Sequence, residues 1–160
     1  MDVIGQTDWY TCGPAAVATL FTYYYGVSTT EKEALELAEG FMREIGLEPG
    51  RGINALALKK TLEAKGILTK GVRVKPGDLR DYFARGGLPV VAHPTRPRKH
   101  FVVWGRSIIP FSSFIGERGY SGVVLVPIPP PDLIPYARSK QRATLEGAED
   151  RLEALASLRD

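Results

Sequence analysis

Helical and strand patterns are largely separated along this chain, and that separation limits the possible fold more than any other feature. Most of the helical periodicity precedes residue 87, whereas short β-branched runs bounded by Pro and Gly follow it. Helices first and strands afterwards favour an α+β domain, with the N-terminal helices packed on a small antiparallel sheet. The 160 residues, 44% of them hydrophobic, suit one compact domain of ordinary size.

The predicted helices have clear end signals. Pro14 fits the first turn of a helix that Gly26 ends. Thr30 and Glu33 form a capping box for a second helix, and Asn54 caps a third. A short fourth helix is predicted in residues 77–87. An amphipathic tail helix is predicted from Leu145, Ala148, Leu152, Leu155 and Leu158.

The second half of the chain predicts strands and then a break. The strand-like runs are residues 88–93, 100–105 and 120–127, with 72–74 as a further candidate. The proline-rich stretch that follows is unsuited to a ladder or a helix. We therefore expect a domain in residues 1–127, a linker in 128–137 and a C-terminal helix in 138–160. We expect its leucines to cover apolar surface of the domain.

Charge and composition narrow the classes of partner. The formal net charge is only +3, and no aromatic or basic stripe continues the small basic group at Arg96, Arg98 and Lys99, so we expect no nucleic-acid partner. One cysteine excludes an internal disulfide and a Cys-rich metal site, and we expect no metal and no cofactor.

No membrane span or targeting signal is expected from the sequence. No apolar run approaches the roughly 18 to 20 residues that a membrane helix needs. The N-terminus has neither a basic region nor an apolar signal core. As written, the chain is expected to be cytoplasmic, and secreted if a presequence has been removed.

The single cysteine, Cys12, lies at the start of the first predicted helix. There the helix dipole and free N–H groups favour the thiolate, which is the nucleophilic form. The adjacent Gly13 has no Cβ, so we expect it to let a substrate backbone approach. The alternative interpretation is a small, inert core residue, which is the commoner situation for a lone cysteine.

A nucleophilic thiol needs a base, and the chain has two histidines. His100 begins a predicted strand, and a His at a strand edge beside a helix-start Cys suits a thiol peptidase. His93 ends the preceding strand and is followed by Pro94. Gln6, six residues before Cys12, has a side-chain amide that can donate to the oxyanion of a tetrahedral intermediate.

The segments QTDWYTCGPAAVATLFTYYYGV, LPVVAHP, HFVV and YSGVVLVP together resemble the bacteriocin-processing, double-glycine cysteine peptidases, which have a papain-like fold. The resemblance covers about residues 3–127 and implies a free-standing member. It implies that Cys12 is the nucleophile, His100 the general base and Gln6 the oxyanion-hole residue. It also implies a peptide or protein substrate that is cut after a Gly-Gly pair.

One part of the family pattern is missing. The family has an Asp about fifteen residues after its His, but no Asp lies between His100 and Pro131, where Glu117 is the single acid. The stretch around Glu117 is short and rich in Gly and Pro, so we expect water, a carbonyl or an amide to orient His100 instead.

Two alternatives to an active peptidase stay open. The first is a pseudo-peptidase that binds peptides without cutting them. The second is an interaction module whose tail helix pairs with a partner.

Overall fold

The computed structural model describes residues 11–48, 52–96, 99–107, 109–116 and 118–157. Its α-helices are α1 (Cys12–Thr19), α2 (Glu31–Glu44), α3 (Ala55–Ala64), α4 (Pro76–Ala84), α5 (Phe111–Phe114) and α6 (Ile134–Ser157). Its strands are β1 (Leu68–Arg73), β2 (Val90–Pro94), β3 (Val102–Trp104) and β4 (Tyr120–Ile128). A π-helical segment, Leu20–Tyr24, prolongs α1, and a 3-10 turn, Pro131–Leu133, precedes α6.

The four strands form one sheet in the order β1-β4-β2-β3. All three neighbouring pairs are antiparallel. The predicted α+β class with an antiparallel sheet is therefore confirmed. β3 lies at one edge of the sheet and packs against α1, which brings the strand after His100 to the helix that begins at Cys12.

Helices cover both faces of the sheet. Along β2 the side chains alternate: Val91 packs into the cluster built on α1, α2 and α3, whereas Val90 and Ala92 pack with residues of α4 and α5. This period of two is the ordinary consequence of strand geometry. The sheet is thus a central layer. The larger of the two hydrophobic cores is the one that contains Cys12.

The predicted helix starts are confirmed by their cap hydrogen bonds. The Glu33 N–H donates to Thr30 Oγ1 at 3.0 Å, at the start of α2. The Ala57 N–H donates to Asn54 Oδ1 at 2.9 Å, at the start of α3. Each bond satisfies one of the N–H groups that a helix leaves unpaired at its N-terminus.

The stretch that we expected to be a linker is more ordered than its proline content suggests. Ile128 is the last residue of β4, and α6 begins at Ile134 rather than at residue 138. Pro135 is tolerated because it lies in the first turn of α6, where a helix makes no use of the N–H. The division of the chain at residues 127 and 137 stays a prediction.

The two halves of α6 have different surroundings. In the first half Gln141 is buried: its Nε2 donates to the Gly87 carbonyl at 2.9 Å, and its Oε1 accepts from the Arg106 N–H at 3.0 Å. In the second half Leu152 is 52% exposed and Leu155 58% exposed. The expectation that the tail leucines cover apolar surface of the domain is therefore wrong for Leu152 and Leu155, because this half of α6 extends past the rest of the domain.

In the described ranges, no helix combines the length and the apolar character that a membrane crossing requires.

Candidate active site

Cys12 is the first residue of α1, and its side chain is buried, with 6% of its surface exposed. The backbone N–H groups of Cys12 itself and of Gly13 act to lower the pKa of the Cys12 thiol. They belong to the first turn, where N–H groups have no partner within the helix. The sulfur therefore lies at the positive end of α1, as the sequence predicts.

A hydrogen-bond donor from outside α1 reaches the sulfur. The Phe101 N–H donates to Cys12 Sγ at 3.4 Å, across a sequence separation of 89 residues. Phe101 is buried and directly precedes β3. This bond fixes the beginning of the edge strand to the beginning of the first helix.

His100 is the residue directly before Phe101, so the contact brings its backbone to within one residue of the sulfur. The His100 N–H donates to the Pro94 carbonyl at 3.1 Å. Its side chain is half-buried. The structure thus brings two of the predicted site residues, Cys12 and His100, to neighbouring positions.

The ionisation of Cys12 differs from our expectation. Burial raises the pKa of the Cys12 thiol above its ordinary value, and the N–H donors of Phe101, Gly13 and Cys12 only partly oppose this. Desolvation disfavours the charged form of any group. Burial therefore has a larger effect on the pKa of this thiol than the helix start has.

Gly13 has a different role from the one we expected. A Cβ at this position would lie 2.8 Å from Leu58 Cδ1, which is closer than ordinary contacts allow. Gly13 therefore permits close packing of α1 on α3. The space that its missing side chain leaves is filled by Leu58 rather than open to a substrate.

His93 lies close to this site, although the sequence assigns it no role. Its ring stacks on that of Phe101, with the centroids 4.5 Å apart and the planes at 26°. Burial lowers the pKa of His93, and the nearby positive charges of Lys99 and His100 lower it further. The sequence predicts that His93 ends a strand. It does not predict the stacking on Phe101, because a contact between residues eight positions apart leaves no periodic pattern in the sequence.

Gln6 and Glu117 lie outside the described residues, so their roles remain predictions. The residue after Glu117 is described: the Arg118 carbonyl accepts from the Arg96 N–H at 2.5 Å. Arg96 lies in the loop between β2 and β3, four residues before His100. Arg118 is therefore bonded to the loop that leads to His100.

In the part of the chain that the structure describes, no three His, Cys, Asp or Glu side chains lie close enough together to hold a metal ion. The described residues place the Cys12 thiol against the Phe101 N–H, one residue along the backbone from His100.

Curated relatives cover parts of the chain. It is 28% identical over 108 residues to the probable functional amyloid protease FapD of Pseudomonas aeruginosa, a match over 66% of this chain and 45% of that protein. It is 37% identical over 78 residues to an uncharacterized protein of Methanothermobacter marburgensis, covering 49% of each chain. The chain thus spans about half the length of these two relatives.

Solved structures share the fold. The peptidase domain of Streptococcus ComA, a bifunctional ABC transporter of a quorum-sensing pathway, superposes with a TM-score of 0.64 at 18% identity, over 80% of this chain and 98% of that one. A double glycine motif protease from an AMS/PCAT transporter, solved with its leader peptide, gives a TM-score of 0.61 at 25% identity, over 81% of this chain and 91% of that one. These matches confirm the papain-like architecture that the resemblance implied.

The family pattern of the C39 peptidases matches residues 1–107. That range is more than half of the 160 residues and includes the positions of Gln6, Cys12 and His100. Together with the shared fold, it shows that this chain belongs to the peptidase C39 family.

Proposed function

We propose that this chain is a cysteine peptidase that cleaves leader-type peptides after a Gly-Gly pair. Family membership supports the reaction class. The observation that carries the assignment of residues is the 3.4 Å hydrogen bond from the Phe101 N–H to Cys12 Sγ, because it sets the residue next to His100 against the sulfur. The AMS/PCAT relative, a double glycine motif protease solved with its leader peptide, supports the substrate class.

The reaction begins from the neutral thiol. His100 takes the proton from Cys12 Sγ, and the sulfur attacks the carbonyl carbon of the scissile bond. A sulfur–carbon bond forms, and the carbonyl oxygen becomes an oxyanion held by the Cys12 N–H and the Gln6 amide. His100 then gives its proton to the leaving nitrogen, and the carbon–nitrogen bond breaks. Water, deprotonated by His100, releases the peptide from the thioester and restores the thiol.

The preference for glycine follows from the burial of the nucleophile. Only 6% of the Cys12 side chain is exposed, so a substrate carbonyl must approach along a narrow path. Residues without a bulky side chain fit such a path, and glycine presents only its backbone. This supports cleavage after Gly-Gly rather than after larger residues.

One alternative function has an observation in its favour. The raised pKa of the Cys12 thiol and the missing Asp both reduce the power of a Cys-His pair. A chain of this kind would bind the same peptides without cutting them.

The same experiment tests both functions. The full chain is incubated with a synthetic leader-type peptide containing Gly-Gly, and with a matched peptide containing Val-Val at the same position. Mass spectrometry should show one cut after the second glycine, no cut in the Val-Val peptide, and loss of cutting in Cys12→Ala and His100→Ala. Binding of the Gly-Gly peptide by fluorescence anisotropy, without any product, would support the binding protein instead.

The proposal includes the domain division. The peptidase domain occupies residues 1–127, and the segments 128–137 and 138–160 are accessory to the reaction.

A further inference from the structure

His93 lies in β2 beside an irregularity of the sheet. Between Ala92 and Pro94 the register with β4 shifts, because β2 advances two residues while β4 advances four, so the extra residues belong to β4 and His93 is not one of them. The His93 ring is half-buried and stacks on Phe101.

The end of β2 contacts the residues before β3 at two successive positions. The Pro94 carbonyl accepts from the His100 N–H at 3.1 Å. One residue earlier, the His93 ring lies on the Phe101 ring, with 4.5 Å between their centroids. Phe101 in turn donates its N–H to Cys12 Sγ at 3.4 Å. A continuous set of contacts therefore joins β2 to the sulfur through His93 and Phe101.

We propose that His93 is a positioning residue, whose stacked ring holds the Phe101 N–H on the Cys12 sulfur and thereby fixes the backbone of His100. The activity part of this inference rests on the proposed function. In this chain no Asp follows His100 before Pro131. The contacts that β2 makes are therefore more important for holding His100 than they would be beside such an Asp.

The stacked ring acts by its shape and not by its charge. Burial and the positive charges of Lys99 and His100 lower the pKa of His93, so the ring is neutral at pH 7. A neutral, flat ring can be replaced by another flat ring. Phe at position 93 should therefore preserve the contact with Phe101, whereas Ala should remove it.

The test compares His93→Ala with His93→Phe in the full chain. We expect His93→Ala to lower kcat about tenfold with little change in KM, because small displacements of reacting groups have effects of this size or larger. The amide hydrogen of Phe101 should exchange with solvent faster in His93→Ala. His93→Phe should stay within about twofold of the wild type in kcat, and it should keep the slow exchange.

Phe114→Ala is the matched control. Phe114 stacks on Trp104 with centroids 4.4 Å apart and planes at 29°, so its removal deletes a similar ring contact away from Cys12. It should lower the melting temperature without changing kcat or the exchange of the Phe101 amide. If His93→Ala does not fold, His93→Leu, which fills the space without a flat ring, takes its place.

Three results would overturn the proposal. They are unchanged Phe101 amide exchange in His93→Ala, an equal loss in His93→Phe and His93→Ala, or an equal loss of kcat in Phe114→Ala. Amide exchange needs no substrate. If the chain cuts no peptide, the proposed function fails, and the exchange measurement still decides whether His93 positions Phe101.

Discussion

The Phe101 N–H donates to the sulfur of Cys12 at 3.4 Å, so the strand that follows the predicted base is bonded directly to the predicted nucleophile. The donor favours the thiolate, but burial has the larger effect and raises the pKa of the thiol. In the proposed reaction His100 removes the proton of this thiol at neutral pH.

The first prediction concerns the reactivity of this thiol. At pH 7 His100→Ala should lower the rate of iodoacetamide alkylation of Cys12 about tenfold or more, because no general base is left to take the proton. The rates of both proteins should rise steeply with pH and converge once the pH exceeds the raised pKa of the thiol. The measurement is the alkylation rate from pH 6 to pH 11 by mass spectrometry.

The urea-unfolded chain is the control for that experiment, since its thiol has an ordinary pKa and no neighbours. A folded wild type and a folded His100→Ala that both follow the unfolded curve would contradict the nucleophile assignment.

The second prediction concerns Gln6. Its amide is expected to matter mainly in the transition state, so Gln6→Ala should lower kcat by about 100-fold with little change in KM. Steady-state kinetics on the Gly-Gly peptide give both constants. Gln6→Glu keeps the size of the side chain but removes the donor, so it should be as defective as Gln6→Ala. A raised KM at unchanged kcat would instead make Gln6 a substrate contact.

The third prediction concerns stability and pH. Burial, with the charges of Lys99 and His100, lowers the pKa of His93 in the folded protein. The unfolded chain therefore binds a proton at a higher pH than the folded one. The stabilisation is complete above the ordinary His pKa of about 6.5 and is lost as the pH falls through the lower folded value. Urea unfolding at pH 7.5 and pH 5 should show a larger loss of unfolding free energy in the wild type than in His93→Phe, and equal losses would contradict this.

The order of elements could be predicted because local patterns determine it. Pro14 in a first turn, the caps at Thr30 and Asn54, and the β-branched runs each report a local preference that the structure keeps. The position of Cys12 at a helix start is a local property as well. These features needed no knowledge of what packs against them.

Contacts between distant segments could not be predicted in the same way. The Phe101–Cys12 bond joins residues 89 positions apart, and the space beside Gly13 is filled by Leu58 of another helix. The exposure of Leu152 could not be predicted either, because it depends on whether a distant segment packs against this residue. A periodic apolar stripe shows which face of a helix is apolar. It does not show whether the rest of the domain reaches that part of the helix.

The fourth prediction separates the two halves of α6. Deleting residues 150–160 should change the unfolding free energy by less than about 0.5 kcal/mol, because that part of α6 is exposed. Deleting residues 138–160 should lower it by about 2 kcal/mol or more, since the two hydrogen bonds of Gln141 and that between Tyr23 and Thr144 are lost. Cys12 alkylation should be unchanged in both. If the shorter deletion leaves the melting temperature unchanged but converts an oligomer to monomers, the exposed leucines belong to an interface.

The last prediction concerns the missing acid. The Arg118 carbonyl accepts from the Arg96 N–H, which joins the residue after Glu117 to the loop before His100. The His100 backbone is contacted by the Pro94 carbonyl and, through Phe101, by the ring of His93.

The stretch around Glu117 is short and rich in Gly and Pro, so we expect it not to fix a carboxylate against the imidazole. Glu117→Gln should therefore change kcat/KM by less than about threefold, which is under about 1 kcal/mol of transition-state stabilisation. Glu117→Gln keeps the size of the side chain, removes its charge and replaces one acceptor oxygen by an amide donor. The measurement is kcat/KM on the Gly-Gly peptide, with Glu63→Gln as a control on a partly exposed helix pair far from Cys12 in the sequence. A loss of about a hundredfold or more at Glu117 alone would make this residue the acid that orients His100, because disabling such an acid has effects of that order or larger.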